Sequence, residues 1–241
     1  MRELAVAAIV LMALPPSVQA QPYPHKPIRL LVGFTPGGAA DTSARTISRK
    51  MGEAMRTTFV VENRAGAGGN IAAEIVSNGN PDGYTLFWGS VGPLSVSAAL
   101  GVKLPYDVFT GFAPVGLAVT SCNVLATRAA AKFENLADVI AQTRARPGKV
   151  NYASQGMGST GHLAGELLRS MTSIDVVHVP YKGGAEVVTA LLGGEVELAF
   201  VSVTALRGAG AGRMKPLAVT CGKRSEEHTS ELQSLAYLVC R

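Results

Sequence analysis

Short apolar runs alternate with amphipathic stretches along this chain, from Ile28-Arg29-Leu30-Leu31-Val32 to Pro216-Leu217-Ala218-Val219-Thr220. The runs are strand-sized and predict strands over residues 28–32, 58–62, 85–89, 113–119, 123–127, 151–153, 176–179, 197–201 and 216–220. Between them apolar residues recur at helical spacing, as with Ala44, Ile47 and Met51. Helices are expected over residues 42–56, 69–77, 136–144, 162–171 and 185–192. Strands alternating with helices of roughly 10–15 residues imply an α/β fold, a mostly parallel sheet with helices on both faces.

Both ends depart from this alternation. Met1 to Ala20 carries Arg2, an apolar run from Leu4 to Leu14, Pro15-Pro16 and a small-residue site at Val18-Gln19-Ala20. That is the form of a secretory signal, and the run is shorter than the roughly 20 residues a bilayer span needs. Residues 21 onward are therefore expected outside the cytoplasm. At the other end, residues 224–234 carry no apolar period, and residues 224–241 coincide with one reading frame of a sequencing-library adapter. Leu235-Ala236-Tyr237 fits the variable index codons and Leu238-Val239-Cys240-Arg241 the constant sequence after them. We read this tail as foreign, with no docking place on the rest of the molecule.

Composition narrows the classes. The chain has a net charge of +5, but its Lys and Arg form no run and do not interleave with aromatics, so nucleic acid is not an expected partner. No Cys/His group has metal-ligand spacing, and neither metal nor cofactor is expected. Cys122 and Cys221 stand far apart in or beside apolar runs and read as two isolated buried thiols.

Two glycine-rich loops carry the chemistry. The first, Gly33-Phe34-Thr35-Pro36-Gly37-Gly38-Ala39-Ala40-Asp41, lies between a strand and a helix. Such a turn aims free N–H groups and the positive end of a helix dipole at one point, which suits a phosphate or carboxylate. The second, Gly156-Met157-Gly158-Ser159-Thr160-Gly161, follows Asn151-Tyr152-Ala153-Ser154 and precedes His162. It matches the dinucleotide fingerprint, but the next strand ends in Pro180-Tyr181 where that site wants an acid, so a second anion loop fits better. A secreted hydrolase using Ser159 and His162 is the rival reading, although Met157 stands where the nucleophile elbow has glycine. His25, His162 and His178 have no nearby carboxylate in the sequence, and His178 alternates with Val177 and Val179 as if pointing off one strand face.

These motifs carry a family resemblance. Val32-Gly33-Phe34-Thr35-Pro36-Gly37-Gly38 with Asp41 resembles the first-loop signature of Bug-type solute-binding proteins of tripartite tricarboxylate transporters. Val61-Glu62-Asn63-Arg64-Ala65-Gly66, Pro81-Asp82-Gly83-Tyr84, Asn151-Tyr152-Ala153-Ser154 and Val179-Pro180-Tyr181-Lys182-Gly183 resemble further signatures of that family, in order. The resemblance implies a two-lobed type II periplasmic binding protein fold. It divides the chain into a signal (1–20), lobe one (21–122), lobe two (123–223) and the foreign tail (224–241), with lobe one left incomplete. It further implies a monomeric, non-enzymatic periplasmic receptor that delivers a small organic carboxylate to membrane transporter subunits. The ligand-binding residues it implies are Phe34, Thr35, Gly37, Gly38 and Asp41 from lobe one. From lobe two they are Ser154, Gly156, Gly158, Ser159, Thr160 and His162, with Tyr181 and Lys182 at the rim.

Overall fold

Each of the nine apolar runs predicted as a strand becomes one, and with a tenth strand from the tail they sort into two five-stranded sheets. The computed structural model describes residues 22–208 and 211–221, together with the backbone of 234–240. The signal segment and residues 224–233 of the tail lie outside the described residues.

The first sheet begins with β1 (Ile28–Val32), α1 (Ala39–Met55), β2 (Phe59–Asn63), α2 (Asn70–Ser77) and β3 (Thr85–Ser90). β1 is central and parallel to both neighbours, with Leu30 opposite Val61 and Leu86. The apolar run Leu30-Leu31-Val32 within it follows from burial on both faces. Leu30 and Val32 pack with Ala44 of α1 on one side, and Leu31 packs with Ala72, Ala73 and Val76 of α2 on the other. After β3 a helical turn over Gly92–Val96 continues into Ser97–Ala99, which the apolar pattern did not announce. β4 (Ala113–Ser121) then closes the outer edge of this sheet.

Across Cys122 the chain enters the second sheet with β5 (Asn123–Arg128), followed by α3 (Leu136–Ala145), β6 (Val150–Ser154) and α4 (Thr160–Thr172). β7 (Val176–Pro180), α5 (Gly184–Gly193), β8 (Leu198–Ser202), the short α6 (Val203–Arg207) and β9 (Met214–Val219) complete it. β6 is parallel to β7 and β8, whereas β5 runs antiparallel to β8 and β9. α5 buries Val187, Val188 and Leu191 on one face, and α3 and α4 cover Tyr152, Leu198 and Phe200 on the other. Gly165 lets α4 lie directly on the Tyr152 ring, where a Cβ would collide.

Two expectations are corrected here. Cys122 and Cys221 are not isolated thiols: they form a disulfide with Cα atoms 5.8 Å apart. Residues separated by 99 positions meet because β9 runs beside β5, bringing Cys221 back to the residue before β5. Asn123 and Thr220 reinforce the clasp, with Thr220 N–H donating to Asn123 O and Asn123 N–H to Thr220 Oγ1, both at 3.0 Å.

The tail also finds a place. Ser234–Cys240 forms β10, antiparallel between β3 and β4, with Leu238 opposite both Trp88 and Gly116. Without it β3 and β4 would face each other with unpaired N–H and C=O groups, which any extended segment lacking proline can satisfy. Such an edge recognises backbone, so a docked strand here requires no selected sequence. The register with β4 shifts twice, at Ala236/Tyr237 and Leu238/Val239, so the insertion is irregular.

Because the disulfide closes a loop of 99 residues, chain entropy assigns it about 2–5 kcal/mol of stability. Reductant or Cys122→Ser should lower the urea midpoint accordingly. Identical midpoints with and without reductant would show that the pair contributes nothing.

Candidate functional site

Parallel strands leave their carboxyl ends on one side of a sheet, and that is where α/β proteins bind ligands. β1, β2 and β3 lead into loops 33–38, 64–69 and 91–96, while β6 and β7 lead into loops 155–159 and 181–183. The two sets of loops touch. A Cβ at Gly183 would collide with Thr35, and one at Gly68 with the Met157 carbonyl. At Gly38 it would stand 3.3 Å from Gly184 N, and at Gly92 3.4 Å from Gly158 O. Thr35 N–H also approaches Lys182 O at 3.4 Å. The lobes therefore meet backbone to backbone across the strand ends.

Within lobe one, α1 starts three residues before its predicted position, with Gly38 as N-cap and no side-chain cap bond. Asp41 is buried, and both its oxygens are engaged. Oδ2 accepts Gly37 N–H at 3.0 Å, and Oδ1 accepts Asn63 Nδ2 at 2.9 Å and lies 2.9 Å from Arg45 Nη2. Asn63 Nδ2 also donates to Phe34 O at 3.0 Å. Burial opposes the Asp41 charge, but Arg45, Gly37 and Asn63 outweigh it and hold the carboxyl below the ordinary aspartate value. Asp41 thus braces the loop from beneath.

Lobe two uses its polar groups in the same way. Ser159 caps α4 by accepting His162 N–H at 3.2 Å, and its hydroxyl donates to Ser154 Oγ at 3.3 Å. Ser154 Oγ accepts Gly156 N–H at 3.2 Å and lies 2.7 Å from His178 Nε2. Gly158 N–H donates to His162 Nδ1 at 3.1 Å. The Tyr181 hydroxyl turns to Glu195 Oε2 at 3.1 Å, and Lys182 N–H to Glu186 Oε2 at 3.0 Å. What remains unpaired within the helix is its first turn, the N–H groups of Thr160 and Gly161, where an anion is stabilised.

Three participants escaped the sequence reading. His178 does not simply leave a strand face: it stacks on Tyr152, and its ring centroid lies 4.4 Å from that of His162. Burial and the neighbouring His162 push its pKa down to about 4. The pairing follows from register, since Tyr152 lies opposite His178. Ser90, at the carboxyl end of β3, has a buried hydroxyl without a partner among the described residues, as does Thr35. An orphaned buried hydroxyl costs stability unless something else meets it. Trp88 Nε1, on the same strand as Ser90, also has no partner among the described residues.

The hydrolase geometry is not assembled. Ser159 Oγ bonds the backbone of His162 and not its ring. Ser154 does meet an imidazole, but at 0% exposure it offers no attacking oxygen to a substrate.

Comparison with known proteins gives the family. Residues 43–236 match the model of the tripartite tricarboxylate transporter family receptor. The chain belongs to that family. Protein BugT of Bordetella pertussis is 37% identical over 210 residues, covering 86% of this chain and 64% of BugT. The chain spans about two thirds of the length of the curated relatives it matches. Rhodopseudomonas palustris Rpa4515, solved with adipate, superposes with a TM-score of 0.84 at 32% identity, covering 90% of this chain and 77% of that one. MatC (Rpa3494) from the same organism, solved with bound malate, gives 0.82 at 26% identity, covering 90% and 79%. The two-lobed fold is that of the Bug and TctC periplasmic binding proteins.

Asp41→Asn keeps the shape but removes the charge that Arg45 and Gly37 address, and should cost about 1–3 kcal/mol near neutral pH. Because the folded pKa of Asp41 is depressed, its contribution is present above the ordinary value of about 4 and fades as pH falls through the folded value. Urea unfolding of both forms between about pH 3 and pH 7 checks this: the gap should close at the acid end. A gap independent of pH would be the wrong outcome.

Proposed function

We propose that this protein is a periplasmic receptor that captures a small organic mono- or dicarboxylate between its lobes and delivers it to membrane transporter subunits. The observation that carries the reading is the meeting of the two sets of strand-end glycine loops. There the first turns of α1 and α4 present N–H groups, and the hydroxyls of Thr35 and Ser90 lack partners. Backbone donors suit a carboxylate and leave the rest of the ligand to the surrounding loops. The adipate and malate held by structural relatives support this class, and the signal-like residues 1–20 support export.

Among the residues implied by the resemblance, the geometry favours Phe34, Thr35, Gly38, Thr160 and the backbone at Lys182 as direct neighbours of the ligand. Ser90 joins them. Asp41, Ser154, Gly156, Gly158, Ser159 and His162 hold the loops that do so, and Gly37 gives its N–H to Asp41. Tyr181 places only backbone near the cleft, its hydroxyl being tied to Glu195.

Titration calorimetry against a panel of organic acids including malate and adipate tests the reading. Binding of at least one acid without turnover is expected, and no binding by any of them would overturn it. Thr35→Val and Ser90→Ala should each weaken binding by about 0.5–1.5 kcal/mol, up to roughly tenfold in Kd. An unchanged affinity in both would remove the hydroxyls from the site. Because each lobe supplies only part of the donor set, ligand should also favour the joined lobes. Small-angle scattering should show a radius of gyration that falls on saturation, and an unchanged radius would argue for a preformed site on one lobe.

A further inference from the structure

We propose that His162 is a positioning residue that locks the 156–159 loop in its anion-ready shape, and that a proton on its Nδ1 releases the lock. The inference rests on the receptor reading above and assigns a regulation to that site. Its basis is one hydrogen bond, from Gly158 N–H to His162 Nδ1 at 3.1 Å. A ring nitrogen that accepts a bond carries no hydrogen, so the neutral tautomer has its proton on Nε2. Protonating the ring places N–H against N–H, and the Gly158 bond cannot survive.

Gly158 is where such a change matters. Its φ of 74° lies in the left-handed region, and Gly156 before it has φ 115°, so the loop turns sharply between two glycines. Its N–H is held from behind by His162, while its carbonyl carbon and oxygen face Gly92, and its Cα side faces Val96 of lobe one. Releasing the N–H therefore disturbs the loop, the start of α4 and an interlobe contact together.

The surroundings of the ring set the direction. Its side chain is nearly buried. On α4, Glu166 Oε1 lies 4.0 Å from Nε2, and Arg169 draws on the same carboxylate at 3.4 Å. From β7 the His178 ring lies 4.4 Å away, and from β6 the Tyr152 hydroxyl reaches Glu166 at 3.3 Å and His162 O at 3.4 Å. Burial opposes an imidazolium here and Glu166 favours one, with the balance below the ordinary value. The lock is then intact above the ordinary imidazole value of about 6.5 and is lost as pH falls through the depressed one. Carboxylate affinity should weaken on acidification. A histidine that merely supplied positive charge to the anion would give the opposite sign, with binding tightening as it protonated.

Two measurements separate the lock from the receptor reading. In the ligand-free protein, NMR titration should show the Gly158 amide and the His162 ring sharing one midpoint below about pH 6.5. A Gly158 amide indifferent to the His162 titration overturns the proposal. Calorimetry with malate and adipate at about pH 7.5 and pH 5 forms the second arm. Wild type should lose more affinity at the acid value than protonation of the acids themselves accounts for, the excess being at most about the worth of one hydrogen bond. His162→Asn, whose Oδ1 stands near the position of Nδ1 and cannot titrate, should lose less affinity between the two pH values than wild type, keeping only the part due to protonation of the acids. His162→Ala should bind roughly tenfold more weakly at both values. An Asn variant as acid-sensitive as wild type overturns the proposal. If neither acid binds any form, the receptor reading has failed for these probes, and the amide titration alone decides the lock.

Discussion

The close approach of backbone to backbone between the strand-end loops of the two sheets is the constraint on which the rest of this structure depends. Gly68 lies against the Met157 carbonyl, Gly183 against Thr35, and Gly38 against Gly184. A side chain at Gly68 or Gly183 would collide with the other lobe, and one at Gly38 would crowd it. Because the contact is built from backbone, what it offers a ligand is backbone too: N–H groups at helix starts, preset in direction and costing no side-chain entropy to order.

That arrangement explains why so many conspicuous polar residues face away from the cleft. A loop rich in glycine has little intrinsic preference for one shape and needs bracing. Asp41 gathers Gly37, Asn63 and Arg45 around one carboxylate, and His162, Ser154 and Ser159 take up the N–H groups of the second loop. Side chains fix the loops and leave N–H groups of the helix first turns, with the hydroxyls of Thr35 and Ser90, without partners among the described residues.

The two sheets depend on long-range closures that follow the same logic. Cys122 and Cys221 join the passage from β4 into β5 to the exit of β9. β10 fills the space between β3 and β4 by backbone pairing alone, in an irregular register. Facing unpaired edges attract an extended segment whether or not its sequence was shaped for the task.

The alternation of apolar runs was enough to determine the α/β class, the strand positions from β1 to β9 and the glycine loops, because strand and helix periods are local properties of side-chain order. Burial of Leu30, Leu31 and Val32 on both faces of β1 could likewise be read from their unbroken apolar run. Pairings across the chain were beyond it. The Cys122–Cys221 bond, the His162–His178 contact and the insertion of β10 each join residues whose proximity is created by strand order and register. The hydrogen-bond partners of Asp41 and His162 were decided in the same way. A hydrogen bond goes to whichever donor lies in reach, and the tertiary structure put the N–H group of Gly37 beside the Asp41 carboxylate and that of Gly158 beside the His162 ring.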